Sequence, residues 1–415
     1  MKTNSSTFFV LLFSILTLVA GFYFNEDSSG SGGYIADFNN TWGYIQALKN
    51  NLFVLPTQWT AHTPLHYILI SKLNILINSE LVLRLFFCIT CLIIPYLFFL
   101  CLKIKFPKLD INNLVLLSSI IIILPAFRSS IIWLNAHATA LIFFLIFLYF
   151  FLIWEKKNYE TKISKNIILQ IVFLALTVYT RQYYAYFYAY LMLIYFKKFN
   201  LKNFLIISSM VAVLAIPGFI LIFYESIVLK TTFDKNLSNT LLISASIISF
   251  YLIPFYLIFN FKNQKKFELL NITKKQYRFF LFLLALIIIL NLFFNYNQKI
   301  GGGFFLKLSY LTFNNNIIFL ISSFLGLFFL YELYKEDKNN IFLILIFLFG
   351  FSAYMIFQKY FEPLFLILLI LMLKSEMIVK FISRTKNIYY LYIYFLFYLA
   401  AAIINNIFKI TKTLI

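Results

Sequence analysis

Residues 8–24, FFVLLFSILTLVAGFYF, are followed directly by residues 25–72, NEDSSGSGGYIADFNNTWGYIQALKNNLFVLPTQWTAHTPLHYILISK. The first segment is apolar and long enough to cross a hydrocarbon core of about 30 Å as a helix. The second segment is polar, although apolar runs recur through the rest of the chain. A polar stretch in this position predicts a first outer loop with a function of its own.

Composition places the chain among integral membrane proteins. Of its 415 residues, 62% are hydrophobic and only 12% are charged, whereas soluble domains carry about 25% charged residues. Backbone groups in lipid must be paired within their own segment, so the spans are predicted to be helices. The predicted fold class is all-α, a single polytopic transmembrane domain of about 11–13 spans.

The first span follows Lys2 and has no small-residue cleavage site, so we expect it to stay uncleaved. Residues 64–78 are short and polar, which favours a re-entrant or interfacial segment, and residues 25–80 form the first outer loop with interfacial helices. The predicted spans are residues 7–24, 82–102, 111–127, 131–154, 166–180, 183–196, 204–224, 239–260, 279–296, 315–334, 340–357, 363–375 and 387–408.

The basic residues indicate a topology. The chain has 35 lysines and arginines and a net charge of +20. Two thirds of these basic residues fall on alternate loops, which are cytoplasmic if the N-terminus is cytoplasmic. The charge therefore predicts a multi-pass plasma (inner) membrane protein with its first loop outside, and no nucleic-acid partner. Charges at the outer span ends are functional candidates; they are Arg84, Arg128, Arg181, Lys299, Lys307 and Lys359.

Two other groups are interpreted as structural. Cys88, Cys91 and Cys101 share one apolar segment, which favours small buried side chains over a zinc or redox site. Glu26 and Asp27 belong to the run EDSSGSG, which is typical of a solvated turn.

Asp37 is the predicted catalytic carboxylate. It lies in GGYIADFNNTW, where Asn39 or Asn40 is predicted to cap a short amphipathic helix over residues 42–48. A carboxylate just before such a helix can face a cavity at the membrane surface and take a proton from a sugar hydroxyl. The alternative is a plain carboxylate at a helix start.

His62 and His66 lie four residues apart in TAHTPLHY, with Pro64 between them. Pro64 disfavours one regular helix through both, which makes a metal-binding pair the weaker interpretation. Hydrogen bonds to a donor phosphate or an acceptor sugar, or a structural role for one histidine, remain open.

The stretch LPAFRSSIIWLNAHA places Arg128 at the outer end of one span and three polar or aromatic residues on the next. Trp133 and His137 are four residues apart, so they are predicted to share a helix face, with Asn135 turned aside. The next outer hairpin, YTRQYYAYFYAY, places Arg181 beside Gln182 in a belt of tyrosines.

Two outer segments follow in the second half of the chain. NQKIGGGFFLKLS has three glycines between Lys299 and Lys307, and is interpreted as a flexible loop that holds a lipid phosphate. FQKYFEPLF contains Lys359 and Glu362 at i,i+3 spacing. This spacing suits either a mutual ion pair or a contact with a sugar or phosphate.

Taken in order, DFNNTWGYI, TPLHY, TRQYY and QKYFEPL resemble the GT-C superfamily of polyprenyl-phosphate-sugar glycosyltransferases. The resemblance covers the layout of the chain and these short motifs. The paired DE or EXD of several such families is absent, because Phe38 follows Asp37.

The resemblance implies a transferase that moves a sugar from a polyprenyl-phosphate donor to a glycan or lipid acceptor of the cell envelope, with inversion. Asp37 is then the base, and Arg181 with Arg128 or Lys307 stabilises the leaving phosphate. No cofactor is predicted, although a divalent metal is left open. The substrate-binding candidates are His62, His66, Arg128, His137, Arg181, Gln182, Lys307, Lys359 and Glu362.

Two alternatives use similar features. A polysaccharide polymerase or ligase also needs outer arginines and a lipid-linked substrate, but its longest outer loop lies in the second half of the chain. A lipid-linked sugar flippase or transporter is expected to have charges near mid-membrane and internal repeats. Here the charges fall at one face and no repeat is evident.

Overall fold

A computed structural model describes residues 4–28, 34–52, 54, 60, 62–224, 236–262, 274–297, 300–351, 353 and 355–414. No strand occurs among these residues, so the predicted all-α class is confirmed. The helices are α1 (Ser5–Tyr23), α2 (Tyr34–Asn50), α3 (Leu65–Ile77), α4 (Glu80–Cys91), α5 (Ile93–Lys105), α6 (Ile111–Ile123), α7 (Pro125–Ile132), α8 (Ala136–Lys156), α9 (Lys165–Thr180), α10 (Tyr186–Lys198), α11 (Leu201–Tyr224), α12 (Leu237–Lys262), α13 (Lys274–Leu292), α14 (Gly303–Phe313), α15 (Ile317–Glu336), α16 (Ile341–Phe349), α17 (Leu364–Leu371), α18 (Glu376–Ile382) and α19 (Thr385–Leu414).

Within the described ranges, 7 helical segments are long and apolar enough to cross a membrane, by length and composition. The pair α6 and α7, which meet at 65°, is an eighth candidate if it counts as one span. This number suggests a multi-pass membrane protein. The seven segments are Ser5–Tyr23, Glu80–Lys105, Ala136–Lys156, Leu201–Phe223, Leu237–Ile258, Ile317–Glu336 and Thr385–Ile407.

Among the described residues, fewer segments reach full spanning length than the predicted total of about 11–13. Four of the remaining predicted spans coincide with helical segments that are too short, since a helix rises only about 1.5 Å per residue. Helix α17, with 8 residues, is the shortest of them. These segments are Lys165–Thr180, Tyr186–Lys198, Lys338–Phe349 and Leu364–Leu371. Helix α13, which coincides with the predicted span 279–296, has 19 residues.

The chain divides into two compact units, which are described separately. Unit 1 comprises Met1–Thr232 and Ala401–Ile415, and unit 2 comprises Phe233–Ala400. In unit 1, α8 packs against α5 and α9, α1 packs against α6, and α2 packs against α3. Every residue of α7 is buried, so this short helix lies in the interior of the unit.

The turn after α1 is held in that interior by a buried ion pair. Arg128 Nε donates to Glu26 Oε1 at 2.9 Å, Nη2 donates to Oε2, and Nη2 also donates to the carbonyl of Thr17 at 2.7 Å. The Glu26 side chain is 8% exposed, and Asp27 is buried as well. The predicted solvated turn is therefore wrong, because Arg128, more than a hundred residues away, supplies the counterion that permits burial.

In unit 2, α12 packs against α15, α14 and α16. Gly326 of α15 has no side chain, which lets its backbone approach the Ala245 carbonyl closely. Small hydroxyls complete this contact, since Ser323 donates to the Leu242 carbonyl at 2.9 Å. Close approach through small residues is the usual way in which apolar helices associate in a membrane.

The Glu26–Arg128 pair gives a first prediction. Glu26→Gln keeps the shape of the side chain but leaves a buried guanidinium without its counterion, so we expect the free energy of unfolding to fall by about 3–5 kcal/mol. Thermal unfolding of the purified protein in detergent measures the change. Glu376→Gln, which breaks the exposed pair with Lys380, is the control. Equal melting temperatures for the two variants would refute a stabilising role for the buried pair.

Candidate functional site

The turn between α7 and α8 is the centre of a polar cluster in unit 1. The cluster comprises His66, Arg84, Asn135, His137 and Arg181. Helix α7 ends at Ile132, and α8 begins at Ala136 with Asn135 as its N-cap. Leu134 has a φ of 51°, a left-handed conformation that reverses the chain. The predicted shared helix face of Trp133 and His137 is therefore wrong, because the two residues lie on opposite sides of this turn.

The prediction that Asn135 is turned aside is wrong, because its side chain joins two parts of the cluster. Its Oδ1 accepts a hydrogen bond from the backbone N–H of His137 at 3.0 Å, which caps α8. The same oxygen accepts from Arg181 Nη2 at 2.8 Å. One amide oxygen thus fixes both the start of α8 and the orientation of a guanidinium.

Arg181 is a buried cation that has no counterion in the part of the chain that the structure describes. It follows α9 and is 2% exposed. Its Nε and Nη1 have no hydrogen-bond partner, and these two atoms carry three of the five N–H donors of a guanidinium. Among the described residues, no carboxylate lies within 4.0 Å of it.

The other two buried arginines of unit 1 have protein partners. Arg128 is paired with Glu26. The Arg84 guanidinium stacks on Trp133 at 3.8 Å from the ring centre, and its Nη1 lies 3.8 Å from Glu80. Of the three, only Arg181 retains donors that the surrounding protein does not use.

His66 is buried on α3 and supports the same turn. Its Nε2 lies 2.8 Å from the carbonyl of Leu134, and its Nδ1 lies 2.8 Å from the Thr139 hydroxyl. Because a carbonyl only accepts, Nε2 carries the proton. The pKa of His66 is lowered to about 3, mainly by burial. The hydrogen bond to the Leu134 carbonyl opposes this shift, and the charge of Arg181 adds to it. The imidazole is therefore neutral at physiological pH.

The remaining predicted residues near the turn are distributed as follows. The His137 Nδ1 lies 2.7 Å from the Tyr183 hydroxyl. Gln182 and Tyr183 lie in a short 3₁₀ helix, Gln182–Ala185, that follows Arg181 directly. His62 is half-buried and precedes α3, whose N-cap is Pro64. The predicted break between the two histidines of TAHTPLHY is therefore confirmed.

Asp37 lies in the first turn of α2, which begins at Tyr34. The predicted caps Asn39 and Asn40 are thus inside the helix, so those cap assignments are wrong. A carboxylate at this position interacts favourably with the positive end of the helix dipole, and the Asp37 side chain is half-buried.

Tyr67 lies beside His66 on α3 and is buried. Burial raises the pKa of the Tyr67 phenol, the charge of Arg181 opposes this shift, and the carboxylate of Asp37 adds to it. Tyr67 also contacts Tyr44 of α2, with ring centres 5.2 Å apart.

Unit 2 contains the other three candidates, Lys307, Lys359 and Glu362. Buried Glu362 accepts from the hydroxyl of Tyr251 at 2.7 Å. The Lys359 ammonium lies 4.9 Å from the ring centre of Phe357. Lys307 is half-buried on α14, and Lys299 lies outside the described residues.

The glycine loop before α14 has a structural role in unit 2. Gly301, Gly302 and Gly303 all have positive φ. The N–H of Gly302 donates to the Ile356 carbonyl at 2.8 Å, and Phe304 N–H donates to Gln358 Oε1 at 2.8 Å. The loop is thus held against the segment that carries Lys359 and Glu362.

Within the ranges that the structure describes, no group of three or more His, Cys, Asp or Glu residues is placed to hold a metal ion. Cys88, Cys91 and Cys101 are free and buried.

His66 gives a prediction about pH. In the unfolded chain an imidazole titrates near pH 6.5, whereas folded His66 titrates near 3. Below pH 6.5 the unfolded state therefore binds more protons, so stability is lost as the pH falls. Between pH 6.5 and 5 we expect the wild type to lose about 2 kcal/mol more than His66→Gln. Thermal unfolding in detergent across this range measures the difference, and parallel pH profiles would contradict a buried neutral imidazole.

Comparison of the chain with models of protein families, with curated proteins and with solved structures finds no match.

Proposed function

We propose that the chain is a membrane glycosyltransferase of the GT-C type. It moves a sugar from a polyprenyl-phosphate donor to a glycan or lipid acceptor of the cell envelope, on the outer face of the membrane. The observation that carries this proposal is the buried guanidinium of Arg181. Among the residues that the structure describes, three of its N–H donors have no acceptor and no carboxylate lies beside it.

An anion is the ligand that best suits Arg181. An unpaired charge inside a protein costs several kcal/mol, even after relaxation. A phosphate oxygen pairs with a guanidinium through short, charge-assisted hydrogen bonds. The N-terminus of α8, capped by the residue that binds Arg181, adds a positive dipole end on the same side.

Asp37 is the proposed general base. It takes the proton from an acceptor hydroxyl, whose oxygen forms a bond to the anomeric carbon of the donor sugar. The bond between that carbon and the phosphate oxygen breaks, and its electron pair leaves with the phosphate. Arg181 stabilises the charge that develops on this leaving group. Attack opposite the leaving phosphate inverts the anomeric carbon.

The lipid part of the donor requires apolar surface at membrane depth. Helix α4 carries Arg84, a residue of the cluster, near its start. It exposes Leu81, Val82, Phe86 and Ile89. An isoprenoid tail lying along such a surface keeps its phosphate at the polar end of the helix. Lys307, Lys359 and Glu362 stay predicted substrate contacts that this proposal does not require.

A glycosyltransferase accounts for the unit 1 cluster better than the two alternatives do. A flippase needs the phosphate site but no base. A polymerase or ligase shares the chemistry and differs in its donor and acceptor. The carboxylate of Asp37, half-buried in the first turn of α2, supplies a base that transport alone does not require.

The test is transfer of radiolabelled sugar by the purified protein. A panel of polyprenyl-phosphate and polyprenyl-diphosphate sugars is incubated with a cell-envelope extract, and label in the acceptor is counted. We expect Asp37→Asn to reduce transfer by at least about 100-fold, because the amide cannot accept the proton. Donor binding should persist in this variant.

Asp110→Asn is the matched control, since Asp110 caps α6 through the N–H of Asn112. It should transfer sugar like the wild type after correction for folded protein. Normal transfer by Asp37→Asn would rule out Asp37 as the base, and tight donor binding without transfer by the wild type would favour a flippase.

A further inference from the structure

Asn135 stands at a position where an aspartate would make an equally good helix cap. Its Oδ1 needs only to accept from the His137 N–H and from Arg181 Nη2. A carboxylate oxygen would accept both bonds and would also neutralise the buried guanidinium. The protein would therefore be more stable with an aspartate at this position, and the presence of a neutral amide needs a physical explanation.

We propose that Asn135 is a positioning residue that orients Arg181 for a phosphate group without neutralising it. A neutral acceptor fixes one nitrogen of the guanidinium while its full charge stays available to an incoming anion. The identity of that anion, the phosphate of a polyprenyl-phosphate donor, rests on the proposed function. The role of Asn135 toward an anion does not depend on sugar transfer.

The surrounding contacts restrict how Asn135 can move. Asn135 is 4% exposed, and the preceding residue, Leu134, is held in its left-handed conformation by the hydrogen bond from His66. On the other side, the residue after Arg181 begins a 3₁₀ helix. The amide therefore cannot turn away from the guanidinium without breaking the turn and the cap of α8.

Arg128, another buried arginine of unit 1, has the opposite kind of partner. Arg128 is paired directly with the carboxylate of Glu26, so its charge is neutralised inside the fold. Both arginines lie in unit 1 and both are nearly fully buried. The choice of an amide at one and a carboxylate at the other separates an anion site from a structural ion pair.

Asn135→Asp tests the proposal, because an aspartate preserves the helix cap but neutralises the charge of Arg181. The new carboxylate pairs with Arg181, so the melting temperature in detergent should rise. Binding of farnesyl phosphate to the full chain, measured by microscale thermophoresis, should weaken by at least about 30-fold. Binding of farnesol, which has the same tail and no charge, should not change.

Two further variants complete the experiment. Asn4→Asp adds the same charge at the exposed N-cap of α1 and should leave farnesyl phosphate binding unchanged. Asn135→Ser keeps a capping oxygen but is too short to reach Arg181, so the phosphate affinity should fall about 3- to 10-fold. This variant decides the question if Asn135→Asp does not fold.

Unchanged farnesyl phosphate affinity in Asn135→Asp and Asn135→Ser would overturn the proposal and leave Asn135 as a helix cap alone. Equal losses for farnesyl phosphate and farnesol would also overturn it, because they would show general damage to the site. Charge-dependent binding in a protein that transfers no sugar would refute the proposed function and keep the role of Asn135.

Discussion

Three consecutive residues between α7 and α8 hold the polar interior of unit 1 together. Trp133 stacks on the Arg84 guanidinium, the Leu134 carbonyl lies against His66, and Asn135 accepts from Arg181. Each contact reaches a different element of the unit. A left-handed residue in the middle of the turn directs these three groups apart. The orientations of Arg84 and Arg181 thus depend on one turn with a left-handed residue at its centre.

The cost of burying a positive charge is the constraint that distinguishes the structural arginines of unit 1 from the proposed functional one. Arg128 meets it with a carboxylate, and Arg84 meets it with an aromatic face and a more distant glutamate. Arg181 has only a neutral amide. An uncompensated cation in a low-dielectric interior is costly, so a chain that keeps one gives up stability. A bound anion returns that stability, since a ligand specific for the folded state shifts the unfolding equilibrium.

The sequence was sufficient for the helical class, for the helical segments behind every predicted span and for the break at Pro64. These follow from local hydrophobicity and backbone chemistry. It was insufficient for the Glu26–Arg128 pair, because partners 102 residues apart carry no local signal. The division between α7 and α8 was missed, since neither glycine nor proline marks Leu134. Asn135 could have been found, because an asparagine just before an apolar helix is a typical N-cap.

Among the described residues, fewer helices reach spanning length than the apolar segments of the sequence predicted, for a related reason. Apolar composition indicates that a segment is buried away from water. It does not distinguish a helix that crosses the bilayer from one buried among other helices. Every residue of α7 and of α17 is buried, whereas α11 is 6% buried across its most apolar window. Short buried helices need neighbours to shield their ends, and such neighbours also bring polar side chains to membrane depth. Arg181 lies directly after α9, one of the shorter apolar helices, and its charged group is buried there.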